Sequence, residues 1–168
     1  MNVMIRQLGE SDFEAYVAMR RASLLDAPLA LTASPEDDFH AGSVERLREQ
    51  LKLAPDWAIF GAFVPHLSGS VGLMRDRHVK RSHIAFLWGM YVAHAERGSG
   101  LARRLLDAAV LHARSLNGVS AIQLSVSSAA PEARRLYERA GFELWGTEPD
   151  ALRYQGVSVT ENHMALRL

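Results

Sequence analysis

Gly98, Ser99 and Gly100 stand between Arg97 and an apolar-periodic run that begins at Leu101, in the stretch HAERGSGLARRLL. Backbone N–H groups at a helix N-terminus have no partner within the helix, so a glycine bend placed there can hold an anion such as a phosphate. Glycine removes the Cβ atoms that would keep phosphate oxygens from those amides, and it tolerates positive φ. The helix dipole adds only about 0.3–1 kcal/mol, so the converging amides matter more. The same residues also suit a plain tight turn from strand to helix. Two other phosphate motifs are excluded: Arg103 stands where a dinucleotide-binding turn needs its third small residue, and no G-K-[ST] is present for a P-loop.

The composition narrows the remaining chemistry. There is no Cys, which removes disulfides, thiolate metal sites, a Cys nucleophile and any thioester on the protein itself. His78, His83, His94 and His112 show no paired ligand spacing on one element, so no metal is expected. Lys plus Arg number 19 and Asp plus Glu 19, so no bulk field favours nucleic acid or an anionic membrane. At 168 residues and 48% hydrophobic, the chain is expected to form a single domain over 1–168. Arg6, Glu10 and Asp12 interrupt any signal-like apolar core, and no run approaches the roughly 18 apolar residues of a membrane span. A cytoplasmic protein is the default expectation.

Elements that would position the glycines follow from periodicity. Val3 to Leu8 alternates like a strand, and Ser11 with Glu14 has capping-box spacing for a helix from Asp12 to Leu25. SPEDDFHAGS reads as an acidic loop, after which Val44, Leu47 and Leu51 keep helical spacing until Pro55. Trp57 to Val64 and Gly69 to Asp76 predict an antiparallel hairpin joined by PHLS. Ile84 to Val92 is the longest apolar strand, too continuous for one exposed face, and belongs at the sheet centre. Leu101 to Leu116 predicts an amphipathic helix stopped by Asn117-Gly118. SAIQLSV is a strand, and Pro131 and Gly141 bracket a further helix. FELWG and HMALRL predict two closing strands around a loop, TEPDALRYQGVSVTEN. The fold class is α/β, or α+β with a mixed sheet of about six to seven strands flanked by helices.

RGSGLA after a buried strand is an R-x-x-G-x-A pattern, and it resembles the acetyl-CoA signature of the GCN5-related N-acetyltransferase (GNAT) superfamily through Arg97, Gly100 and Ala102. A later block, LSVSSAAPEARRLYERAGF, resembles that family's strand and helix with Ala133, Leu136, Tyr137, Gly141 and Phe142. The resemblance is close from Ile84 to Gly146 and looser elsewhere. One departure is Ala130, where the family often has an Asn that contacts the pantetheine arm; Ser128 is the neighbour that could supply the bond.

The resemblance implies a GNAT-like acyl-CoA N-acyltransferase fold in which acetyl-CoA lies in a V between the strands ending at Val92 and Val126. It implies cofactor contacts from Met90, Val92, Arg97, Gly98, Ser99, Gly100, Leu101 and Ala102, and it makes Tyr137 the acid that protonates the departing thiolate. Helical spacing alone favours reading Tyr137 as a core residue on the face of Ala133 and Ala140, and the resemblance reverses that. The implied reaction is direct acetyl transfer from acetyl-CoA to a primary amine of a small molecule or peptide in a ternary complex. The alternative is a non-catalytic acyl-CoA-binding regulatory domain. Neither nucleic acid nor membrane is expected as a partner, and the family's packing is compatible with a homodimer. Glu36, Asp37, Asp38, His83 and Glu161 are base candidates or solvated surface groups, and Arg103 and Arg104 phosphate contacts or solvated charges.

Overall fold

A computed structural model describes residues 3–38, 43–52 and 54–168. Its elements are β1 (Met4–Gln7), α1 (Phe13–Asp26), α2 (Val44–Gln50), β2 (Trp57–Val64), β3 (His66–Arg75), β4 (Ile84–Val92), α3 (Leu101–Ser115), β5 (Ala121–Ser127), α4 (Pro131–Arg139), β6 (Glu143–Tyr154) and β7 (Val157–Arg167). The strands form one seven-stranded sheet in the order β1-β2-β3-β4-β5-β7-β6, with β4 at its centre as expected. β4 and β5 run parallel through the α3 crossover, and the other neighbouring pairs are antiparallel.

Helices cover both faces because two apolar stripes must be buried. On one face Leu101, Leu105, Leu106, Ala109 and Ala113 of α3 pack on Val71, Leu73, Ala85, Leu87 and Ile122 of the sheet. Burying each of these leucines contributes about 1.5–3 kcal/mol. On the other face Phe13, Tyr16 and Met19 of α1 join Leu47 of α2 around Leu8 and Ile59. Gly118 and Gly141 end α3 and α4 with φ of 81° and 93°, as the sequence predicts.

The start of α1 differs from expectation. Ser11 lies in a 3-10 turn, Glu10–Asp12, and the Ser11–Glu14 capping pair is replaced by Asp12. Asp12 Oδ2 accepts from the Gly9 amide at 2.9 Å, and Arg6 donates to both carboxylate oxygens at 2.7 and 2.8 Å. Those donors, Arg6 first, hold the Asp12 carboxyl below its usual range. A depressed carboxylate stabilises the fold above its unfolded pKa and loses that contribution as pH falls through its folded one. Asp12→Asn should therefore cost about 1 kcal/mol at pH 7, discounted because Arg6 is partly exposed. Thermal melts of variant and parent should converge as pH drops below the ordinary carboxylate range.

Two hairpins also differ. PHLS is not a four-residue turn: β3 starts at His66, which pairs with Val64 across Pro65 alone, and the pairing absorbs a bulge between Ala62 and Phe63. TEPDALRYQGVSVTEN is not a loop but most of a long hairpin between β6 and β7, turning at Gln155 and Gly156 with φ of 49° and 80°. Pro149 disguised it. Pro is tolerated there because β6 is an edge strand and the register breaks between Glu148 and Leu152. Of the SPEDDFHAGS stretch, residues 39–42 lie outside the described residues.

Candidate active site

The sheet opens at its centre. β4 and β5 pair only at Ile84–Ala121, Ala85–Ile122 and Phe86–Gln123, and beyond that the strands part. The cause lies on the other edge of β4, where Ser70 pairs with Tyr91 but Gly72 with Trp88, one extra residue on β4. A bulge of this kind bends its strand. Gly89 provides it with φ of 61°, and the Arg20 guanidinium lies 3.4 Å from where a Cβ would stand. The extra residue also resets which face each side chain meets. Ala85, Leu87, Met90 and Val92 face the α3 core, while Trp88 and Tyr91 face the α1 side.

Val92 is placed for a backbone contact. Ala93 N donates to Ser68 O at 2.8 Å, which makes Val92–Gly69 a non-hydrogen-bonded pair and turns the Val92 peptide groups toward the opening. Met90, two residues earlier, lies within the bulge and packs its side chain against the α3 core. The Arg97 side chain is engaged within the fold. Its Nε donates to Val92 O at 3.1 Å, and its Nη2 bonds Asp26 at the end of α1, which also accepts from Tyr91 Oη at 3.2 Å. The Arg97 side chain thus clamps α1 to the end of β4.

At the mouth of the opening, Gly98 and Gly100 have φ of 78° and 86°, and nothing approaches within 4 Å of the Cβ position of either. Gly100 is the N-cap of α3 and gives no side-chain cap. Among the described residues the amides of Gly98, Gly100, Leu101, Ala102 and Arg103 find no acceptor, whereas Ser99 N reaches Glu96 O at 3.4 Å. Free amides, open space and left-handed glycines fit a pyrophosphate. Of the flanking arginines, Arg103 pairs with Asp107 at 2.9 Å and Arg104 donates to Val3 O at 3.2 Å.

Tyr137 lies on α4, 4% exposed, edge-on to Phe142 at 5.7 Å between ring centres. Burial pushes its pKa well above the ordinary phenol value, so the hydroxyl stays protonated. Among the described residues that hydroxyl has no hydrogen-bond partner. Ala130, the N-cap of α4, gives no side-chain bond, and the Ser128 hydroxyl accepts from Thr160 N at 3.1 Å.

On the opposite face of the opening lies a cleft of about 780 Å³. Phe86 and Trp88 of β4, Ser125 of β5 and Glu161 and His163 of β7 line it, with Leu31 and Asp37 across from them. Of the base candidates, Asp38 is committed to a buried ion pair with Arg20 at 3.2 Å, and Asp37 accepts from Ser34 N and Oγ at 2.7 and 2.8 Å. Glu36 and His83 do not line the cleft. Glu161 does; burial raises its carboxyl pKa, Glu148 adds to this and His163 opposes it. Sequence reading passed over Ser125, His163 and Glu148, whose contacts need the β5–β7–β6 register. The alternation of Glu161 and His163 along β7 was the available signal. Among the described residues no cluster of His, Asp and Glu could hold a metal ion.

A mixed sheet parted at its parallel pair, with free helix N-terminal amides at the mouth, is an opening able to hold a pyrophosphate-bearing carrier. The chain belongs to the acetyltransferase (GNAT) family, whose sequence profile matches residues 28–142, and that family uses acetyl-CoA as cosubstrate. A GNAT-family acetyltransferase structure from Streptococcus pneumoniae superposes with a TM-score of 0.86 at 20% identity, covering 99% of this chain and 100% of that one. yncA, a putative acetyltransferase from Salmonella typhimurium with its cofactor acetyl-CoA, gives 0.83 at 19% identity over 100% and 95%. A mycothiol acetyltransferase of Propionibacterium freudenreichii is 49% identical over 51 residues, 30% of this chain and only 16% of that protein.

Proposed function

We propose that the chain, as one domain over 1–168, transfers the acetyl group of acetyl-CoA directly to a primary amine of a small molecule or peptide. The observation that carries this is the parting of β4 and β5 after Phe86–Gln123, which opens the sheet to both faces at once. On the α3 side stand the amides from Gly98 to Arg103 and the Val92 peptide, suited to the pyrophosphate and pantetheine of acetyl-CoA. On the other side stands a cleft with aromatic walls and Glu161, suited to a cationic amine. Holding amine and thioester together across such a gap supplies about 7–11 kcal/mol without a covalent intermediate, in keeping with the absence of Cys. In this reading Met90 and Val92 hold the pantetheine arm by their backbone, Arg97 fixes the strand end, and Gly98, Ser99, Gly100, Leu101 and Ala102 form the cradle. Tyr137 gives its proton to the departing sulfur. The small-molecule acceptor named for the Propionibacterium relative is compatible with the cleft, and so is a peptide terminus.

Burial of Tyr137 favours a second reading, a regulatory domain that binds acyl-CoA without turnover. The experiment that tests the proposal is calorimetric titration with acetyl-CoA, with NAD as control, followed by thiol-release assays with phenethylamine and an Ala-initiated peptide. Micromolar binding with amine-dependent thiol release is expected. Binding without release for any amine would leave the regulatory reading, and no binding would remove both.

A further inference from the structure

Three side chains from three neighbouring strands meet on the acceptor face of the opening. Ser125 of β5 stands directly opposite His163 of β7 in the ladder, which places both side chains on one face, and Ser125 Oγ lies 2.7 Å from His163 Nδ1. His163 Nε2 lies 3.3 Å from Glu148 Oε2 on β6. The Trp145 indole stacks on the imidazole, with ring centres 5.3 Å apart and planes 29° apart. A carboxylate can only accept, so Nε2 carries the hydrogen and Nδ1 accepts from the Ser125 hydroxyl. That assigns the direction of both bonds without reference to any ligand. Ser125 is exposed in the cleft, while His163 beside it is half-buried, held by an anion and a ring.

We propose that Ser125, His163 and Glu148 form the proton relay that deprotonates the acceptor ammonium. The inference rests on the acetyl-transfer reading and assigns that site its base. The ammonium gives one proton to Ser125 Oγ as the hydroxyl's own proton passes to His163 Nδ1, and Glu148 stabilises the imidazolium. The neutral amine nitrogen forms its bond to the thioester carbon, the C–S bond breaks, and sulfur leaves with the electron pair. The second nitrogen proton balances the thiolate through Tyr137, and His163 returns its proton to solvent. Ser125 is the catalytic residue in this scheme; His163 and Glu148 are positioning residues that act through it.

The charges around His163 on every side are Glu148 from β6, Glu161 on its own strand, and Asp37, Arg20 and Arg81 across the cleft. Glu161 is the rival base, and its place in the same cleft makes the test decisive. The relay requires an acidic limb in the pH profile of kcat/KM, because His163 must be neutral to accept. With phenethylamine as acceptor, His163→Gln should remove that limb and lower kcat/KM about 100-fold at neutral pH, with acetyl-CoA affinity unchanged by calorimetry. Ser125→Ala should do the same. Glu148→Gln removes the acceptor that holds the His163 tautomer, so it should lower kcat/KM in the same direction as His163→Gln while acetyl-CoA affinity stays unchanged. A limb that survives His163→Gln, or that vanishes only in Glu161→Gln, overturns the relay. Mass-spectrometric detection of acetyl-Ser125 after incubation with acetyl-CoA overturns it in favour of a covalent step. A parent protein that binds acetyl-CoA yet acetylates neither phenethylamine nor an Ala-initiated peptide overturns the transfer reading itself, a result distinct from loss of the relay alone.

Discussion

Gly100→Asp should give a folded protein that no longer binds acetyl-CoA, its affinity down by at least about 100-fold, or about 2.7 kcal/mol. Three features combine. Gly100 has φ of 86° and ψ of 2°, a left-handed conformation that Asp tolerates better than most residues, so the strain is about 1 kcal/mol. Nothing lies within 4 Å of the new Cβ, so the scaffold has no clash to relieve. The new carboxylate would then act twice on the cradle: it would accept from the amides of Ala102 or Arg103 as an N-cap side chain does, and it would repel the pyrophosphate. Gly100→Ala carries the strain without the charge and should lose far less. Calorimetry reads the affinity and a thermal melt reads the fold. Undiminished affinity in the Asp variant would remove the α3 N-terminus as the phosphate site.

Tyr137→Phe should lower kcat about 100-fold and leave acetyl-CoA affinity within about twofold, a split characteristic of an acid that acts only as the thiolate departs. Its raised pKa means that the hydroxyl rests protonated, ready to donate, throughout the working pH range. Its lack of a partner among the described residues means that deleting the oxygen orphans no neighbour, so the Phe142 contact and the melting temperature should survive. An unchanged kcat would take Tyr137 out of the mechanism and assign it to the core, the role its helical spacing alone favoured.

The elements around the cradle were legible because each carries its own local signal. α3 has a full apolar stripe and a left-handed stop at Gly118, and α4 is bracketed by Pro131 and Gly141. The parting of β4 from β5 was legible only through the family resemblance, since it depends on one residue of slippage against β3 that only Gly89, in an otherwise unbroken apolar strand, betrays locally. The apolar continuity of β4 implied burial on both faces; residues from Trp88 to Tyr91 are instead half-buried, because the sheet stops being closed there. The β6–β7 hairpin was hidden by Pro149 and by charges that an exposed edge strand accommodates. Misreading it as a loop also hid Glu148, and with it the line from Ser125 through His163. Arg97 shows the opposite limit, a motif residue found in place whose side chain serves an ion pair with Asp26.

Between β4 and β5 the two half-sheets are joined by three residue pairs, and beneath them lie Ala85 and Ile122, both fully buried. That seam works as the pivot of a pair of calipers. A small change in volume at Ala85 or Ile122 would be magnified along the diverging strands into a change of gap at Val92 and Val126. The bore of the opening would thus be set partly by packing that does not line it. Core substitutions at the seam would then reshape the opening while every residue lining the cleft stays the same.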